Sequence, residues 1–138
     1  MSRRTARAAA MQAIYQLDTG LVDVSTALEY ALQTTPLGGN DERYARDLVY
    51  GALSRWEEIN TLVSEALAEW AIDRLAKVDR SLLRLAVFEM LSRREDTPVA
   101  AIINECIELA KEYSTEESSR FVNGILGAIA RKLCVNQL

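Results

Sequence analysis

Asp79-Arg80-Ser81-Leu82-Leu83-Arg84-Leu85-Ala86-Val87-Phe88-Glu89-Met90-Leu91 is a strongly apolar segment of the chain. Apolar side chains fill so many of its positions that a helix here has almost no polar face. Such a helix belongs at the centre of a bundle, covered on every side. The pattern predicts a helix over about 79–94. Arg84 is the cation inside its apolar run, and Asp79 and Glu89 are the nearest carboxylates on the same helix. Two readings stand: a buried ion pair, or a helix edge that reaches the surface and offers Arg84 and Asp79 to a ligand.

Working outward, Thr97 and Pro98 suit the N-cap and first position of the next helix. Its apolar stripe is Val99, Ile102, Ile103, Cys106, Leu109, Ala110 and Tyr113, and Glu105, Glu108, Lys111 and Glu112 lie opposite. Ser114 and Glu117 fit a capping box. They open a last helix with Phe121, Val122, Ile125, Leu126, Ile129 and Leu133 inward. Gly124 and Gly127 fall i, i+3 within it; each costs about 1 kcal/mol relative to Ala, which predicts a close neighbouring backbone.

Upstream, residues 34–40 hold Pro36, Gly38 and Gly39 and form the clearest loop. Before it come a helix over about 3–18, with Ala6, Ala10, Ile14 and Leu17 on one face, and a second over about 24–34 with Ser25 as cap. After it, Asp41 opens a helical stretch to about Trp70, with a bend or break near Ser54-Arg55. No segment alternates with period two, and the chain has only 2 Pro and 6 Gly. The expected fold is all-α, about seven helices in a single domain over 1–138.

Composition narrows the function. The 138 residues include 16 Lys+Arg and 20 Asp+Glu, for a net charge of −4, and no His. The absence of His removes His-based acid–base and nucleophilic chemistry and most transition-metal sites. Cys106 and Cys134 make neither a disulfide framework nor a zinc site. No Gly-rich phosphate loop or metal-ligand spacing is present. No catalytic residue, metal or cofactor is expected. No apolar run is long enough to span a membrane, and the first apolar segment is too broken by Arg and Gln for a secretory leader. Charge is uneven along the chain: residues 1–17 and 118–138 carry bases and no acidic side chain, so all the acids lie between them. Basic ends on an acidic body suggest an outside anion.

Arg3, Arg4 and Arg7 are one patch by helical spacing, at the helix end where cations oppose the macrodipole. An external polyanion explains them, and so does a frayed, solubilising terminus. Tyr15, two turns from Arg7, suits base stacking or partial burial against the second helix. Arg120-Phe121 sets a ring beside a cation at the start of the last helix, although Phe121 also fits the core stripe.

Four blocks in register resemble the NusB family: Arg3-Arg4-Thr5-Ala6-Arg7 followed by Met11-Gln12-Ala13-Ile14-Tyr15; Leu75 to Val78 and then Asp79 to Glu89; Thr97-Pro98 with Ile103 to Lys111; and Phe121-Val122-Asn123-Gly124-Ile125-Leu126. Gly127 stands where the family commonly has an acid. The resemblance implies two packed three-helix sub-bundles and a bacterial transcription antitermination factor that catalyses no reaction. It implies binding of boxA RNA in nascent ribosomal RNA together with the ribosomal protein NusE. RNA polymerase and other Nus factors would be reached indirectly, in the cytoplasm, and homodimerisation occurs among similar proteins. Carried onto this chain, the implied RNA-binding residues are Arg3, Arg4, Arg7, Tyr15, Asp79, Arg84, Arg120 and Phe121. A similar helical domain fronts certain ribosomal RNA cytosine methyltransferases, but no Rossmann-like half is seen here. A structural helical adaptor with no RNA role is the third expectation.

Overall fold

A computed structural model describes residues 3–68, 71–92 and 97–135, with side chains to 133. Among these residues there are seven α-helices, one short 3-10 turn and no strand: α1 (Arg4–Leu17), α2 (Val24–Thr34), α3 (Gly39–Ser54), α4 (Trp56–Leu67), the turn Ile72–Arg74, α5 (Lys77–Ser92), α6 (Val99–Tyr113) and α7 (Glu116–Val135). The expected helix ends at Trp70 and 94, and Cys134, lie outside the described side chains.

α5 is the buried centre. Every residue from Ser81 to Met90 is buried, including Arg84 and Glu89. α1 is a second interior helix, with Ala6, Ala8, Ala9, Ala10, Met11, Ala13 and Ile14 buried. Its small side chains let α2, α3 and α5 approach on different sides, because an alanine face adds little to the distance between axes. The helices form two groups. α1, α2 and α3 make the first; α5, α6 and α7 make the second, with α4 laid against α5 and α7. The two three-helix groups that the resemblance implied are present, with α4 added beside the second. One continuous apolar core joins the groups, and α1 and α5 form the seam between them.

Helix ends depart from expectation in instructive ways. α2 is capped by Asp23, whose carboxylate accepts the Thr26 N–H at 2.7 Å, and not by Ser25, which is already inside the helix. A cap needs extended backbone, and Asp23 supplies it at φ −87°, ψ 172°. Pro98 itself takes the cap position of α6, one residue beyond the expected Thr97. At α7 the hydroxyl of Thr115 accepts the Ser118 N–H at 2.9 Å, so the expected Ser114–Glu117 box does not form. The break near Ser54-Arg55 is present: Arg55, at φ −121°, ends α3 and begins α4.

The glycines reverse their expected roles. A methyl at Gly124 would meet nothing within 4 Å, and one at Gly127 would meet only the Arg131 guanidinium, at 3.5 Å. No backbone approaches either. Gly51 is the close-packed one: a methyl there would lie 2.6 Å from Phe88 Cε1 and Cε2. The absent side chain lets the α5 ring rest flat on α3. Val99, Tyr113 and Phe121, expected inward, are partly exposed.

Candidate nucleic-acid interface

The first turn of α1 sends its three arginines to three different neighbours. Arg3 turns toward α3, its guanidinium 4.5 Å from the Tyr44 ring centroid, and donates to the Asn40 carbonyl at 3.3 Å and the Asp41 carboxylate at 3.4 Å. Arg4 turns toward α6 and donates to Glu105 Oε2 at 2.7 Å. Glu105 raises the Arg4 pKa above its ordinary value, first through this hydrogen bond and then through its charge. Both Arg3 and Arg4 keep 43% of the side chain exposed, enough to reach a ligand.

Arg7 points inward. Its Nε and Nη2 donate to the two Glu89 oxygens at 2.7 and 2.9 Å, and Nη2 also donates to Tyr44 Oη at 3.1 Å. Tyr44 in turn donates to Glu89 at 2.8 Å. Burial pulls the Arg7 guanidinium toward neutrality, but Glu89, Tyr44 and Glu105 outweigh it and hold its pKa above the usual value. Side-chain exposure is 9%, so the expected arginine patch is two reachable cations above a buried one.

A second set of charges gathers at the other end of α1. The Lys77 ammonium lies 5.6 Å from the Tyr15 ring centroid. Asp18, at the C-cap of α1, accepts from Arg80 and lies 3.4 Å from Arg84 Nη1. Arg80 also donates to the carbonyls of Asp73 and Leu75. Arg84 stacks 4.3 Å above the Trp56 ring and donates to Asn60 Oδ1 at 2.9 Å. It is buried in an ion pair, as one reading expected, but its partner is Asp18 and not Asp79 or Glu89. Burial pushes its pKa down, and Asp18 does not fully restore it.

Asp79 is 6% exposed and accepts from Ser118 Oγ at 2.9 Å. This bond ties the start of α5 to the first turn of α7, just ahead of Arg120, 78% exposed, and Phe121, 38% exposed. Glu116, 4.0 Å away, is the ion-pair partner of Arg120. The start of α7 is thus joined to the helix that brings Lys77 to Tyr15. The basic turn of α1 lies about 16 Å from Tyr15 along α1, eleven residues at 1.5 Å rise. Two stations result: the basic turn of α1, and the start of α7 with Tyr15 and Lys77.

Sequence reading considered Glu89 only as a neighbour of Arg84 and missed the other residues that hold these cations: Tyr44, Glu105, Asp18, Asn60 and Trp56. The one local signal was Glu89, an acid in an apolar helix that demands a buried cation. It missed Lys77 and Arg80 as well, which carry no spacing signal. Cys106 is buried, and burial, with Glu89 and Asp79 adding, pushes its thiol above the usual range, as for an apolar core cysteine. Among the described residues no group of three or more His, Cys, Asp or Glu could hold a metal ion, and no helix is long and apolar enough to cross a membrane.

Fold and surface together describe an all-helical protein: two interlocked helix groups with charged and aromatic side chains along their edges. Residues 4–131 match the NusB family, and the chain belongs to it. The transcription antitermination protein NusB of Heliobacterium modesticaldum is 47% identical over 96% of this chain, which spans 64% of that relative's length. T. maritima NusB superposes with a TM-score of 0.85 at 38% identity, covering 95% of this chain and 92% of that one. A crystal structure of antitermination factors NusB and NusE in complex with double-stranded RNA gives 0.86 at 27% identity, covering 94% and 96%.

Proposed function

We propose that this chain is a bacterial transcription antitermination factor that binds boxA RNA of nascent ribosomal RNA transcripts together with the ribosomal protein NusE. It acts in the cytoplasm as one RNA-binding domain, catalyses no reaction and needs no cofactor. RNA polymerase and other Nus factors are engaged through the complex. Support comes from family membership and from the structural likeness to a NusB protein crystallised with NusE and RNA.

The strand runs between the two stations. Arg3, Arg4 and Arg120 meet phosphates, and Tyr15 and Phe121 stack bases. Arg7, Asp79 and Arg84 act from beneath: Arg7 fixes the first turn of α1, Asp79 fixes the first turn of α7, and Arg84 fixes Asp18 between two guanidinium groups. The observation that carries this reading is Arg120 beside Phe121, a cation and a ring both left in solvent just past a turn that Asp79 locks in place.

The test is the mobility of labelled boxA RNA with this protein alone and with NusE. Weak binding alone and tighter binding with NusE are expected, with log K falling against log salt at a slope of about −2 to −3.5 for three to five phosphates. A salt-independent signal, or no shift in either case, would sink the assignment. A homodimer that covers the same surface is the competing state, and solution mass with and without RNA distinguishes it.

A further inference from the structure

We propose that Glu105 is an internal competitor for the RNA, an acid that occupies Arg4 in the free protein and releases it when a phosphate arrives. The inference rests on the RNA-binding reading above. Arg4 offers a guanidinium within reach of solvent, yet its Nη2 is bonded to Glu105. Glu105 is the more enclosed partner, with 13% of its side chain exposed. Its second oxygen, Oε1, is buried and makes no hydrogen bond among the described residues, and it lies 3.9 Å from Arg7 Nη1. The carboxylate therefore sits between two guanidinium groups and is hydrogen-bonded to one.

That arrangement allows an exchange. Stripping the counter-ion from an enclosed carboxylate is normally expensive. Here Arg7 stands on the other side, itself fixed by both Glu89 oxygens. When Arg4 swings to a phosphate, Glu105 keeps a cation in range. Two consequences follow. The net charge neutralised on binding is smaller than the number of phosphate contacts, because a carboxylate is uncovered as a phosphate is covered, so the salt slope is shallower. An RNA that does not deliver a phosphate to Arg4 finds that arginine already neutralised. Glu105 thus suppresses sequence-independent attraction and makes Arg4 available to a strand held correctly elsewhere.

The experiment compares wild type, Glu105→Gln, Arg4→Gln and the double variant, each as the NusE complex, on boxA RNA and on a scrambled RNA over a range of salt. Glu105→Gln is expected to tighten boxA binding about two- to fivefold, the size of a part-exposed ion pair. It is expected to steepen the salt slope by about 0.7 and to tighten scrambled RNA at least as much. In the Arg4→Gln background the same substitution has no effect. Unchanged or weaker binding by a folded Glu105→Gln protein overturns the proposal, since Glu105 would then only position Arg4. Equal tightening without Arg4 overturns it too, as a long-range charge effect. Should Glu105→Gln fail to fold, Glu105→Asp keeps the charge but shortens the reach to Arg4, and it must tighten binding in the same direction. Wild-type protein that binds no RNA sinks the functional reading and this inference with it; wild-type binding with no tightening in the variants sinks this inference alone.

Discussion

Arg7 and Glu89, 82 residues apart in sequence, meet in the interior through two parallel hydrogen bonds of 2.7 and 2.9 Å. The pair locks the first turn of α1 to the central helix. Removal of one member leaves the other charged and enclosed, which costs about 3–5 kcal/mol. Arg7→Ala is therefore expected to take a large share of a total stability of roughly 5–15 kcal/mol. Urea unfolding of Arg7→Ala and of the apolar double variant Arg7→Met/Glu89→Leu checks this. The double variant should regain much of the loss, because it strands no charge. A single Arg7→Ala within about 0.5 kcal/mol of wild type, the range of an ordinary surface substitution, would contradict the clamp.

Arg120 should behave in the opposite way. It is exposed and has one distant acid beside it, so Arg120→Ala is expected to leave the melting temperature unchanged. RNA affinity should fall across sequences, and the salt slope should lose about 0.7, the share of a single-strand phosphate. Parallel thermal melts and RNA titrations separate this residue from Arg7, whose loss acts through the fold.

Two glycines make a matched pair. Gly51→Ala drives a methyl into the Phe88 ring and is expected to cost about 1–3 kcal/mol or more. Gly124→Ala meets open space and is expected to stabilise α7 by about 0.5–1 kcal/mol through helix propensity. Opposite signs in chemical denaturation are the outcome to look for. A Gly124→Ala protein that is more stable yet binds RNA less well would place the strand against that face of α7.

The cap of α2 gives a pH dependence. The Thr26 N–H, and then the Thr26 side chain, hold the Asp23 carboxyl below its ordinary 3.8. A depressed carboxyl pKa stabilises the folded state fully above the unfolded value and loses that contribution as the pH falls through the depressed one. Amide exchange in the first turn of α2 should accelerate on acidification below pH 3.8 relative to α5, and Asp23→Asn should remove the pH dependence while keeping a cap.

Much of the fold was legible because its determinants are local. Leu82 to Met90 announces a buried helix by composition alone, and Ser54-Arg55 marks a break in the pattern that becomes the α3–α4 junction. The caps were off by one or two residues at Asp23, Pro98 and Thr115, since several polar residues crowd each start and backbone geometry selects among them. The glycines were misread for a different reason. A helical glycine signals close approach equally at 51, 124 and 127, and only the neighbour's position tells them apart.

For the candidate site, local spacing along the chain told which cations and rings share a helix turn, because helical spacing is a property of three or four neighbouring residues. What each side chain faces emerges from the packing: Arg7 on Glu89, Arg4 on Glu105, Arg84 on Asp18, Asp79 on Ser118. Those partners lie 82, 101, 66 and 39 residues away, separations at which no periodicity survives. The pairing of buried charges is settled by how whole helices pack, and that packing divides the arginines into buried ones that hold the bundle together and exposed ones paired at its surface.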